Sequence, residues 1–306
     1  MKKGHLFVFL LGLCAYAQQK PTIQLQEVQR IETELASDTM EGREIFTPGI
    51  DRASTFIEEE FKKINLAYYQ GLNNYRQAFE KKGQSANNVI GIIPGKSKAD
   101  EYVVFSAHYD HLGMKSSGDD KVYNGANDDA SGTTAIIALA KYFKELNQNE
   151  RTLIFVAFTG EEVGGYGSRY FSKSIDPAKV VAMFNIEMIG TESKWGKNSA
   201  YITGFEKTNF GNILQQNLKG SGFDFYPDPY PSEHLFYRSD NATLASLGVP
   251  AHTISTSKMD SEANYHQLSD EVSTLDLVNM TEIIKSIAIS SQTIVSGKDS
   301  PTRVKD

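Results

Sequence analysis

His108-Tyr109-Asp110-His111-Leu112-Gly113 closes one apolar run, and Thr159-Gly160-Glu161-Glu162-Val163-Gly164 closes another. Between them, Asn124-Gly125-Ala126-Asn127-Asp128-Asp129-Ala130-Ser131-Gly132 leads into a long helical pattern. An imidazole and several carboxylates gathered at the ends of buried strands form a donor set suited to a divalent metal ion. In an open α/β sheet, ligands collect at the carboxyl ends of the strands, which is where these clusters stand.

Working outward, residues 152–158 and 180–186 are continuous apolar runs rich in β-branched and aromatic residues, the pattern of strands buried on both faces. Residues 131–147 read as a long helix packed on the sheet. Further strands are expected at 88–93, 102–107, 200–203 and 251–255. Helices are expected at 24–37, 51–64 (capped by Asp51), 208–218, 241–247 and 275–291. The alternation predicts an α/β sandwich, with a mostly parallel central sheet flanked by helices on both faces. The stretch 222–238, dense in Pro, Tyr, Phe and Asp, reads as a long loop suited to walling a site.

The chain has 306 residues, 40% hydrophobic and 23% charged, enough to bury a core without disulfides or a partner. Its formal net charge of −7 gives no electrostatic reason to expect nucleic acid. Lys2 and Lys3, the apolar run from Leu6 to Leu13, and Ala15-Tyr16-Ala17 make 1–17 a signal peptide. Export to the periplasm or the medium with cleavage after Ala17 is therefore expected, and the run is too short to span a bilayer as a mature helix. The single cysteine, Cys14, falls inside this segment, and bulky Leu13 argues against its lipidation. The mature chain is expected to form one domain over 20–296, followed by a flexible polar tail, 297–306.

His108 ends a strand, so its ring can project over the sheet edge, and Asp110 can accept its second ring N–H. Asp128 has two oxygens able to bridge a pair of ions, while Asp129 serves as the helix cap. At the end of a buried strand neighbouring side chains diverge, so Glu162 can bind metal while Glu161 faces a water as general base. Glu187 can add a carboxylate, His266 can complete the shell, and Tyr265 can hydrogen-bond a developing oxyanion. His252 reads as a core histidine, and His111 and His234 as rim residues.

With these clusters in place, the sequence resembles the co-catalytic dizinc exopeptidases of metallopeptidase family twenty-eight, which include secreted bacterial aminopeptidases. The likeness extends to Met40-Glu41-Gly42-Arg43, Asn87-Asn88-Val89-Ile90-Gly91, Gly167-Ser168, Arg238-Ser239-Asp240 and Leu247-Gly248-Val249-Pro250. It implies two zinc ions, one held by His108, Asp128 and Glu187, the other by Asp128, Glu162 and His266. It also implies peptide substrates, and it is the basis for choosing an aminopeptidase over a carboxypeptidase. The sequence departs from the family at Glu187, where aspartate is usual, and at Asn241, where histidine commonly follows Ser-Asp. A glutaminyl-peptide cyclotransferase with one zinc, and a non-catalytic exported binding module, are the competing functions.

Overall fold

A computed structural model of the chain describes residues 21–305; the expected signal peptide lies outside them. In chain order the elements are α1 (Leu25–Leu35), α2 (Pro48–Ile64), β1 (Ala67–Tyr68), β2 (Arg76–Lys81), β3 (Gln84–Ile93), β4 (Lys98–His108), α3 (Ser131–Leu146) and β5 (Arg151–Phe158). There follow α4 (Tyr166–Ser174), β6 (Val180–Ile186), β7 (Ser199–Ile202), α5 (Phe210–Leu218), β8 (Asp224–Pro227), α6 (Asn241–Ala245), β9 (Ala251–Ser255), α7 (Leu277–Ser290) and α8 (Gln292–Val295).

One sheet holds these strands in the order β1-β3-β5-β4-β6-β9-β7-β8, with β2 paired to β3. Its centre, β5-β4-β6-β9, is parallel throughout, and antiparallel pairings join it to β3 and β7 on either side. The α/β reading therefore holds, with a largely parallel sheet covered on both faces. Strand β5 shows why: Leu153, Phe155 and Ala157 enter one core, and Ile154, Val156 and Phe158 the other. The larger core also takes α1, α2, α3, α5 and α7, while α4 and α6 cover the opposite face. Phe105 stacks on Phe155 and Phe184 of the neighbouring strands at 5.4 and 4.9 Å, so three rings in register fill the middle of that core.

Several local expectations are corrected. Helix α2 starts at Pro48 behind Thr47, not at Asp51, which instead lies in the first turn where a carboxylate favours the helix dipole. The hairpin of β2 and β3 has a polar outer strand and turns at Lys82-Gly83, both at positive φ. That is a tight two-residue turn without the usual Asn-Gly signal. The expected loop 222–238 contains β8, which pairs with β7. Where a frayed tail was expected, Arg151 donates to the carbonyls of Ile294 and Asp299, and Val304 N–H donates to Gly248 O.

A buried carboxyl links α1 to α3: Glu32 Oε2 accepts from Thr134 Oγ1 at 2.7 Å, while Oε1 has no partner among the described residues. Burial pushes Glu32 up to about 8 from 4.5. A carboxyl raised in this way stabilises the fold below pH 4.5, and the benefit is lost as pH rises through 8. Glu32→Gln, which keeps an acceptor for Thr134, is expected to flatten the pH dependence of urea-unfolding stability between pH 5 and 8, and to stabilise the protein at pH 8.5 by about 1–4 kcal/mol. Parallel pH profiles for the two proteins would refute this.

Candidate metal centre

The parallel strands at the centre of the sheet deliver the site at their carboxyl ends. His108 is the last residue of β4, Glu161 and Glu162 follow β5, Glu187 follows β6, and His266 comes from the loop beyond β9. Asp128 reaches in from the turn ahead of α3. Asp128 Oδ1 lies 3.2 Å from His108 Nε2, and Oδ2 lies 3.2 Å from His266 Nε2. Glu162 Oε2 stands 3.1 Å from the same His266 nitrogen. Donor atoms of His108, Asp128 and Glu187 lie within 4.8 Å of one another, as do those of His111, Asp128 and Glu162, so two clusters share Asp128.

These donors fit metal ions. His108 Nε2 and Glu187 Oε2 are buried and make no hydrogen bond among the described residues, although the first is only 3.2 Å from a carboxylate oxygen. Atoms so close yet unbonded aim at a common point. Donors on a tetrahedral ion with bonds of about 2.0–2.1 Å are about 3.3 Å apart, close to the spacings here. The electrostatics agree: Asp128 and Glu162 push His266 up to about 10, marking how strongly this spot favours positive charge. Burial drives Glu187 up to about 7, and drives Glu161 up as well, with the carboxylates of Glu187, Asp240 and Asp110 adding to the rise at Glu161 and His108 opposing it.

Three aspartates hold the scaffold through backbone N–H groups. Asp129 accepts from His108, Gly132 and Met188, tying β4, α3 and the end of β6 together. It is more than the helix cap expected of it. Asp270 accepts from the N–H groups of Asn127 and Asp128 at 2.8 and 3.0 Å, fixing the bridging residue from the loop that also carries His266. Asp110 was expected to hold His108 through its carboxylate. Instead its carbonyl oxygen meets His108 Nδ1 at 3.1 Å, and its carboxylate accepts from the N–H groups of Glu161 and Glu162 at 3.1 and 3.4 Å. The carboxylate anchors the acidic pair rather than the histidine.

Arg43 is fully buried and spends its guanidinium on the carbonyls of Leu35, Tyr109, Asn124 and Gly125. Gly42 beside it has no room for a side chain, since a Cβ would fall 2.1 Å from Gly113 O. The small residues after Asp129 serve α3: a Cβ on Gly132 would meet Ile186 O at 2.2 Å, so the close approach is to β6 and not to an ion.

The cavity over the clusters is lined by Glu161, Tyr201, Leu235, Arg238, Met259 and Tyr265, among others. The Tyr265 ring stacks on His266 at 3.9 Å. Asn241 is buried and belongs to a polar row under the site, donating to Phe236 O and Ala251 O and accepting from Thr253 Oγ1. His252 is a core residue, bonded to Thr203 O and Thr208 Oγ1. His234 is exposed and lines a separate cavity. His111, expected on the rim, is buried against Glu162. Sequence reasoning missed the parts played by His111 and Asp270. Their only signal was proximity to cluster residues in the chain.

A sequence model of a protein family, Peptidase family M28, matches residues 88–289, well over half of the chain. The chain is 31% identical over 120 residues to Aminopeptidase YwaD of Bacillus subtilis, a match covering 38% of this chain and 24% of that protein. The chain spans about a quarter to a third of the length of the curated relatives it matches. Among solved structures, a zinc aminopeptidase from Bacillus subtilis superposes with a TM-score of 0.74 at 13% identity, covering 92% of this chain and 98% of the other. A glutaminyl cyclase from Porphyromonas gingivalis superposes with a TM-score of 0.68 at 15% identity, covering 89% and 99%. At these identities the structural likeness is one of fold.

Asp270→Ala leaves two buried N–H groups without acceptors, each costing about 1–3 kcal/mol. The variant is expected to unfold at lower temperature and to bind zinc about tenfold or more weakly. Wild-type zinc affinity in a folded Asp270→Ala protein would show that Asp128 needs no such anchor.

Proposed function

The chain belongs to peptidase family M28, and we propose that it is a zinc-dependent aminopeptidase that releases the N-terminal residue of peptides. The observation that carries this reading is Asp128, whose two oxygens face two different imidazole nitrogens at 3.2 Å. His108, Asp128 and Glu187 would hold one zinc, and Asp128, Glu162 and His266 the other. When bound, the ions supply Lewis acidity, polarising the scissile carbonyl and bringing the pKa of water towards about 7.

The chain's own residues supply the rest. Glu161, whose carboxylate lines the same cavity, takes a proton from the attacking water and passes it to the departing amine nitrogen. Oxygen bonds to the carbonyl carbon, the C–N bond breaks, and the products are a free amino acid and a shortened peptide. Burial pushes the Tyr265 phenol up, so its hydroxyl stays a donor for the oxyanion. Asp110 keeps Glu161 in place through the backbone.

Four carboxylates and a single arginine line the cavity, and Arg238 is paired with Glu233 at 3.1 Å. Three of those carboxylates would be taken by zinc and Glu161 is the base, so the choice of an aminopeptidase over a carboxypeptidase is supported by the likeness to Aminopeptidase YwaD. The glutaminyl cyclase reading has the fold likeness in its favour, but it calls for one ion where two clusters meet at Asp128. The basic start and apolar run of residues 1–17 support export. Among the described residues no helix is long and apolar enough to cross a membrane.

The test is turnover of aminoacyl amides by the purified protein, beside acyl-blocked controls. Glu161→Gln is expected to keep both zinc equivalents and to lose activity by about 100-fold or more, and chelation is expected to abolish wild-type turnover and lower the unfolding temperature. Full hydrolysis by Glu161→Gln, or pyroglutamate as the product with one zinc bound, would refute the proposal.

A further inference from the structure

His111 is buried and has a donor atom within 4.8 Å of those of Asp128 and Glu162, yet neither the two-zinc assignment nor the reaction above uses it. Its Nδ1 lies 2.8 Å from Glu162 Oε1 and 3.9 Å from Asp128 Oδ2, while its Nε2 is buried without a partner among the described residues. Gly125 presses on the ring, where a Cβ would fall 2.5 Å from His111 Cδ2 and Cγ, and the His111 N–H donates to Arg43 O at 3.2 Å. Backbone on one side and Glu162 on the other thus fix where Nδ1 points.

Resting on the reading of the site as a two-ion centre, we propose that His111 is a positioning residue: it donates Nδ1–H to Glu162 Oε1 and so turns Glu162 Oε2 towards Asp128 and His266. Distances separate this role from direct ligation. Donors sharing a cation stand about 3.3 Å apart, and His266 Nε2 meets that spacing to both carboxylates, at 3.2 and 3.1 Å. His111 Nδ1 does not: it is at hydrogen-bond length from one and out of reach of the other. Donation from Nδ1 also leaves Nε2 as a bare lone pair, which tolerates an apolar surrounding better than an unmet N–H would. A glutamate on its flexible arm loses side-chain entropy when it binds metal, and a partner that already holds one oxygen reduces that loss.

Zinc and cobalt titrations of the purified protein, read by calorimetry and by the cobalt d–d spectrum, test this. His111→Phe removes the donor, whereas His111→Asn places an amide nitrogen near the position of imidazole Nδ1. The phenylalanine variant is expected to bind two equivalents still, with the weaker site loosened by about 10–100-fold, an unchanged cobalt spectrum at saturation, and turnover restored by excess zinc. The asparagine variant is expected to recover most of that affinity. Should the larger ring prevent folding, His111→Ala makes the same comparison.

Unchanged affinity in the phenylalanine or alanine variant would overturn the proposal. So would a fall to one equivalent with an altered spectrum and no rescue by asparagine, which would make His111 a ligand. A wild-type protein that takes up no zinc would overturn the two-ion reading and this inference with it, a case set apart because the failure precedes any substitution.

Discussion

Concentrating acid in a poorly solvated place is the constraint on which this molecule turns. Asp110, Asp128, Asp129, Asp240 and Asp270 are all buried around one spot, with Glu161, Glu162 and Glu187 beside them. Burial, with neighbouring carboxylates adding to it and His108 opposing it, raises Asp110 and Glu187 to about 7. So many carboxylates cannot all be ionised side by side unless positive charge is supplied among them. His108 and His266 face these carboxylates but ligate a metal only as neutral imidazoles. Two cations between them would answer the need, and here the requirement of the fold and that of the chemistry coincide.

Six of these acids fall into two groups by what they meet. Asp110, Asp129 and Asp270 are met by backbone N–H groups and hold loops in shape. Asp128, Glu162 and Glu187 are met by imidazoles or by nothing, and turn inward. Adjacent residues take opposite roles: the Asp128 carboxylate faces two histidines, while that of Asp129 faces three amides. Beneath them, Ser106, Asn185, Thr253 and Asn241 form a hydrogen-bonded row across β4, β6 and β9 towards α6, which gives the ligands a firm floor.

Much of this was legible in the sequence because burial on both faces leaves unbroken apolar runs, and the residue ending each run then stands out. His108 at the end of β4, the Glu161-Glu162 pair after β5 and Glu187 after β6 were found that way. Strands β2 and β8 were not, since one lies beyond β3 and the other at the sheet edge, where polar residues are tolerated. Which way a side chain turns was also illegible. Asp110 serves Glu161 and Glu162 rather than His108, and His111 points inward, because both depend on contacts between residues about fifty positions apart. Asn241 looked like a missing pocket histidine, but in the fold it braces α6 against β9.

Arg151 opens β5, in the middle of the sheet, and its guanidinium is filled by the Glu101 carboxylate of β4, the carbonyls of Ile294 and Asp299 and the hydroxyl of Ser300. During synthesis the strand leaves the ribosome long before the last three of these acceptors do. Until they arrive, Glu101 alone meets the cation, and sealing the sheet would leave the other two guanidinium nitrogens without acceptors, at about 1–3 kcal/mol each. The segment that follows α7 thus acts as a clasp on the start of β5, and without it the buried guanidinium would be left with Glu101 alone.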